Sequence, residues 1–221
     1  MAPFRRLRGA RETSLFSALP GDSLSIFGDE LVAGDAAIRL VRGWLRPDGA
    51  DTLLAAIRRG TRWTQERRTM YDRVVDVPRE QAWYGDGYAE PFTPELATVR
   101  GDLEALIGTC FAYVLLNRYR DGNDSVAWHN DREVAHVCDP IVASVTLGAT
   151  RAFDVRAKAA RSQVISVDLD HGDLVVMGAG AQARYEHRVP KDPRIRKERI
   201  NLTFRQRAPA LPRTPLGARE H

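Results

Sequence analysis

Arg199-Ile200-Asn201-Leu202-Thr203-Phe204-Arg205 alternates without a break. With the two-residue period of a β-strand, Arg199, Asn201, Thr203 and Arg205 share one face, and Ile200, Leu202 and Phe204 share the other. The second face is built for a core. The first carries two guanidiniums among neutral hydrogen-bonding groups, which suits a ligand with two carboxylates. Further strand-like runs precede it: Phe111 to Tyr119, Ser125 to His129, Ile141 to Leu147, Arg151 to Arg156, Val164 to Leu169 and Leu174 to Met177. Asp121-Gly122-Asn123, Asp139-Pro140 and His171-Gly172-Asp173 supply turns between them.

Upstream of Gly108 the period changes. After a strand signal over Ile38 to Leu45, Pro47-Asp48 opens a helix whose apolar positions Ala50, Leu53, Leu54 and Ile57 end at Gly60. Thr93-Pro94 reads as N-cap and first helical position, followed by a stripe of Leu96, Val99, Leu103, Leu106 and Ile107. Two helices followed by seven or eight short strands predict a β-dominated α+β fold, a jelly-roll or double-stranded β-helix core with supporting N-terminal helices.

The chain has 221 residues, 43% of them hydrophobic, which is enough for one core and marks no second domain. Residues 1–22 are expected to form a basic mobile leader and 208–221 a disordered Pro/Arg tail, leaving one domain over 23–207. Net charge is +4, and only Lys158, Lys191 and Lys197 of the 33 basic residues are lysine. Such a balance is compatible with nucleic acid but weak evidence for it. Cys110 and Cys138 fall in no disulfide or zinc spacing, so both read as reduced thiols. No stretch reaches membrane-span length. A cytoplasmic monomer that does not engage membrane is expected.

The chemistry centres on Trp128-His129-Asn130-Asp131, whose alternate residues put an imidazole and a carboxylate on one side of a strand. A lone His-x-Asp is a weak signal, and His129 equally suits a hydrogen-bonded histidine at a strand end. His187 lies 58 positions on, and two histidines with one carboxylate suit Fe(II) with coordination positions left open. Asn117 and Tyr119 share a strand face just before this segment. Between Arg58 and Arg73 six arginines interleave with Trp63, Met70 and Tyr71. That pattern suits phosphate contact and base stacking, or else a solvated ribbon whose large side chains join the core. Tyr84-Gly85-Asp86-Gly87 either holds Tyr84 at a pocket rim or is a structural turn.

Taken in order, Asn117-Arg118-Tyr119, His129-Asn130-Asp131, His187 and Arg199-x-Asn201-x-Thr203-x-Arg205 resemble the AlkB family of Fe(II)- and 2-oxoglutarate-dependent dioxygenases. The resemblance spans about Val41 to Arg207. Pro78-Arg79 through Tyr84-Gly85-Asp86 resembles the branch that repairs duplex DNA, with a nucleotide-recognition segment at about 58–90. The resemblance implies oxidative demethylation of N-alkylated nucleobases such as 1-methyladenine and 3-methylcytosine, coupled to decarboxylation of 2-oxoglutarate by dioxygen, with release of formaldehyde and succinate. It implies His129, Asp131 and His187 as iron ligands, and Asn117, Tyr119, Arg199, Asn201, Thr203 and Arg205 around 2-oxoglutarate. For substrate it implies Trp63, Tyr71, Arg73, Tyr84, Gly85, Asp86, Arg132 and Glu133, with Tyr71 aligned to a base-displacing finger. Arg132 departs from the pattern, standing where some duplex-repairing relatives carry a second acid.

The partner expected is alkylated DNA, single- or double-stranded, with RNA or protein as the alternative for a dioxygenase of the same fold. A noncatalytic nucleic-acid-binding module is the rival from another class. It predicts the loss of a ligand or an anchoring arginine, and none is lost.

Overall fold

The alternating heptapeptide lies inside the larger of two sheets, where both its faces are covered. A computed structural model describes residues 29–33, 37–70, 73–88, 90–131 and 140–206. Tyr71, Arg132, Glu133, Cys138 and the expected leader and tail lie outside these residues. The elements run β1 (Asp29–Val32), β2 (Ile38–Val41), α1 (Pro47–Gly60), β3 (Arg67–Met70), β4 (Arg73–Asp76), β5 (Glu80–Gly85), α2 (Pro94–Ile107), β6 (Tyr113–Tyr119), β7 (Val126–His129), β8 (Val142–Gly148), β9 (Arg151–Ala157), β10 (Val164–Leu169), β11 (Leu174–Met177), α3 (Ala181–Arg184), β12 (Tyr185–Val189) and β13 (Arg199–Arg205).

The larger sheet has the order β1-β2-β11-β8-β13-β6-β5 and the smaller β10-β9-β12-β7, while β3 and β4 form a separate hairpin. All the pairings within these sheets are antiparallel, and β13 runs between β6 and β8. This is the expected β-dominated jelly roll with helices on one side.

Alternation divides the large sheet between two environments. Ile200, Leu202 and Phe204 join Val114, Leu116, Val145 and Leu147 against Leu53, Leu54 and Ile57 of α1 and Leu96, Val99 and Leu103 of α2. Each fully buried Leu or Ile here contributes about 1.5–3 kcal/mol. On the opposite face, Ile38, Leu40, Val142, Val175 and Met177 meet Phe153, Val155 and Leu169 of the small sheet. That second core fills one end of the space between the sheets, and the polar face of β13 lies beside it.

Helix α2 has the expected cap: Thr93 Oγ1 accepts from Leu96 N at 3.4 Å, and Gly108 closes the helix at φ 75°. Three details differ from expectation. The strand signal over Ile38 to Leu45 ends at Val41, because Gly43 turns at φ 56° and donates to Asp173 Oδ1 at 2.8 Å. The strand Asp29–Val32 gives no alternating signal, since it is an edge strand whose exposed first residues are acidic. The short helix Ala181–Arg184, too brief for a helical period, also goes unannounced.

Candidate active site

Strands β7 and β12 pair so that His129 stands directly opposite His187, with ring centroids 4.3 Å apart. Asp131 follows two residues on, and the potential ligand atoms of the three side chains all lie within 4.8 Å of one another. The Nδ1 of His129 is 2.9 Å from the Ala127 carbonyl. A proton on Nδ1 would be donated there, leaving the Nε2 lone pair on the side of Asp131.

Asp131 is held from two directions. Its backbone N–H donates to Gln182 Oε1 at 2.9 Å, and its Oδ1 accepts from Arg205 Nη2 at 2.6 Å. Its Oδ2 is buried with no hydrogen-bond partner among the described residues. Burial opposes ionisation of this carboxyl. Arg205 first, then His187, His129 and Arg79, outweigh that and hold it below the usual carboxylate range. Burial, with His129 and Arg205 adding to it against the pull of Asp131, pushes His187 down to about 4. Near neutral pH the cluster therefore offers an ionised carboxylate and, at His187, an uncharged imidazole, the protonation states a metal needs. A divalent cation would also satisfy the otherwise unbonded Asp131 oxygen.

The polar face of β13 builds the other half of the site. Arg199 is 1% exposed, and its Nη2 donates to Thr146 Oγ1 at 2.9 Å and Asn201 Oδ1 at 2.8 Å. Its Nε and Nη1 are buried without hydrogen-bond partners among the described residues. Burial pushes this guanidinium down to about 10, so it stays charged at neutral pH. Leaving such donors unmet is costly, and a carboxylate arriving at the closed end would meet them. Asn201 is fixed in turn by Ser144 Oγ at 3.0 Å and by its own bond to Thr203 Oγ1 at 2.9 Å. Across the ladder, Asn117 faces Asn201 and Tyr119 faces Arg199, and Asn117 Oδ1 accepts from Arg79 Nε and Gln81 Nε2, both at 2.9 Å.

A single cavity of about 850 Å³ is lined by His129, Asp131 and His187 and by Asn117, Tyr119, Arg199, Asn201, Thr203 and Arg205. The expected substrate residues are placed differently. Tyr84 is 5% exposed in the helix-side core, with its hydroxyl 3.2 Å from Thr61 Oγ1, so its expected grip on a base is corrected. The cause is alternation along β5, which sends Ala82 and Tyr84 toward the helices and Gln81 and Trp83 into the cavity wall. Trp63 packs half-buried on the same core, outside the cavity lining, with Arg118 5.8 Å over its ring. Gly85 serves a structural turn, because a Cβ there would come within 2.6 Å of the Ala112 carbonyl, and Asp86 is exposed outside the cavity. Arg73 is placed by its backbone alone, at the start of β4 in the hairpin.

Sequence reasoning missed Arg79, Gln81, Trp83 and Gln182. Gln81 and Trp83 share one face of β5 by alternation, but which face meets the site is set by their pairing with Asn117 and Leu115 of β6. If Tyr84 is a core residue, Tyr84→Ala lowers unfolding stability by about 3–5 kcal/mol in a urea titration. Unchanged stability with weakened DNA binding would restore it to recognition.

A family model described as the 2OG-Fe(II) oxygenase superfamily matches residues 37–205, a span holding every residue of the cavity. The chain belongs to this superfamily. Its relatives among known proteins include AlkB homologues. It is 35% identical over 190 residues to the alpha-ketoglutarate-dependent dioxygenase alkB homolog 3 of Rattus norvegicus, covering 78% of this chain and 64% of that protein. It is 34% identical over 168 residues to the DNA oxidative demethylase ALKBH2 of Bos taurus, covering 68% and 60%. The chain thus spans under two thirds of the length of both. Among solved structures, OsALKBH1 has a TM-score of 0.57 at 20% identity, over 79% of this chain and 100% of that one. A prolyl hydroxylase from Trichoplax adhaerens, 11% identical, gives 0.55 over 76% and 82%. These two likenesses show the oxygenase fold. The superfamily's Fe(II) and 2-oxoglutarate fit the residues present: two imidazoles beside an ionised carboxylate with one unbonded oxygen, and a buried guanidinium with two unmet donor nitrogens.

Proposed function

We propose that this 2OG-Fe(II) oxygenase removes N-alkyl groups oxidatively from DNA bases such as 1-methyladenine and 3-methylcytosine. The observation that carries the reading is the meeting, in one cavity, of the His129, Asp131 and His187 cluster with the two unmet N–H groups of Arg199. His129, Asp131 and His187 would hold Fe(II). Arg199 and Tyr119 would take the distal carboxylate of 2-oxoglutarate, with Asn117, Asn201, Thr203 and Arg205 around the rest. Bound there, Fe(II) with dioxygen supplies a two-electron oxidation of a methyl C–H, while 2-oxoglutarate leaves as succinate and carbon dioxide. The hydroxymethyl amine so formed on the base loses formaldehyde unaided, so no protein nucleophile is needed.

The chain's own work is positioning. Arg205 neutralises Asp131, the β13 face orients the dicarboxylate, and Trp83 and Arg79 line the wall in place of Tyr84. A base reaches this depth only after leaving the helical stack. DNA as substrate is supported by the likeness to a protein named DNA oxidative demethylase. Incubation with Fe(II), ascorbate and 2-oxoglutarate over methylated DNA, RNA and peptides, read by formaldehyde and product mass, tests the reading. Demethylation of DNA supports it, whereas turnover confined to RNA or peptide, or none, overturns it.

Within this reading Tyr71 acts as a wedge replacing the stacking lost on extrusion, worth about 1–3 kcal/mol. Tyr71→Ala should then lower kcat/KM on methylated duplex far more than on the same lesion in single-stranded DNA. Equal losses on both substrates, together with a lower Tm, would make it a packing residue.

A further inference from the structure

Besides Arg199 and Arg205, a third buried cation stands at the Tyr119 ring. Arg151, the first residue of β9, is 1% exposed. Its Nη1 donates to the Asp121 carbonyl at 3.0 Å, and its Nη2 to the carbonyls of Asp124 at 2.9 Å and Pro190 at 2.7 Å. Asp121 and Asp124 belong to the turn that follows Tyr119 at the end of β6. Pro190 follows β12, the strand that carries His187. One guanidinium thus ties together the exits of the two strands that bring Tyr119 and His187 to the cavity.

The nearby carboxylates are engaged elsewhere. Asp124 is held by Arg120 through Nε and Nη2, both at 2.8 Å, and Asp192 by Arg194 in the same manner at 2.8 Å. Arg151 is therefore a buried charge whose hydrogen-bond partners are neutral carbonyls. Its guanidinium carbon lies 5.6 Å from the centre of the Tyr119 ring, and that of Arg199 lies 5.4 Å from the same centre. The Tyr119 ring is thus in contact with two guanidiniums, and it is 3% exposed. Two like charges at one ring repel each other, and an anion arriving at Arg199 relieves that repulsion.

We propose that Arg151 is a positioning residue for the distal carboxylate of the co-substrate, holding Tyr119 against Arg199 and adding its charge to the closed end of the cavity. Arg151 does not line the cavity, so it acts through Tyr119, the clamped turns and its field. This inference rests on the functional reading above and deepens it.

The test compares two ligands on the intact chain loaded with Mn(II): 2-oxoglutarate, and oxalate, which can chelate the metal but has no distal carboxylate. Calorimetric titration of Arg151→Met should show the Kd for 2-oxoglutarate raised about tenfold or more, as expected for loss of a charged partner. The Kd for oxalate should stay within about twofold of wild type, inside the usual tolerance for an uncoupled site. Arg151→Lys keeps the charge without the three-carbonyl fan, should fall between the two, and serves if the Met variant does not fold. Equal weakening for both ligands would reduce Arg151 to a structural clamp, and no change for either would remove it from the site; both overturn the proposal. A wild-type protein that binds neither ligand would overturn the functional reading itself.

Discussion

His187→Ala, His129→Ala and Asp131→Asn are each expected to lower turnover by about 10³-fold or more, since each deletes or weakens one ligand of a site that already leaves coordination positions open. The expectation follows from geometry, because two of the ligands face each other across paired strands, the third follows two residues beyond one of them, and no fourth His, Cys, Asp or Glu joins them among the described residues. Asp131→Asn is the more informative change at that position. Alanine there would also break the buried 2.6 Å ion pair with Arg205, and breaking such a pair costs about 3–5 kcal/mol of stability, confounding activity with folding. Formaldehyde release from methylated DNA, read beside a melting curve, separates the two effects. Near-normal turnover in any of these variants would remove that residue from the triad.

Arg199→Met should act on the co-substrate rather than the substrate. Losing a buried charge pair with the distal carboxylate costs about 2–5 kcal/mol, which raises the 2-oxoglutarate needed for half-maximal rate by roughly 30-fold to several thousandfold. The KM for methylated oligonucleotide, measured at saturating 2-oxoglutarate, should change far less. If the 2-oxoglutarate requirement did not move, the anchor would lie elsewhere on the β13 face or at Arg205.

How far the sequence disclosed this arrangement depended on whether a local pattern carried the information. Alternation along Arg199 to Arg205 placed four polar side chains together because a strand has only two faces, and both neighbours of β13 keep that register over its length. The helix limits were legible because Thr93, Pro94 and Gly108 are read by backbone chemistry within a few residues. Tyr84 was misplaced because its neighbourhood is aromatic throughout, and only pairing with β6 reveals that Trp83, rather than Tyr84, faces the cavity. Arg151 and Gln182 stayed invisible for a different reason. Their partners are backbone groups 27 to 51 residues away in sequence, and no local period reports a side chain that caps a distant carbonyl or amide.

Metal ligands and dicarboxylate cradle should behave as one site. Isothermal titration of 2-oxoglutarate into the protein with and without Mn(II), repeated for His187→Ala, tests it most directly. The metal should tighten 2-oxoglutarate binding at least about tenfold, and His187→Ala should abolish the gain, because one ligand would engage both halves. Equal affinity with and without metal in the wild-type protein would contradict it.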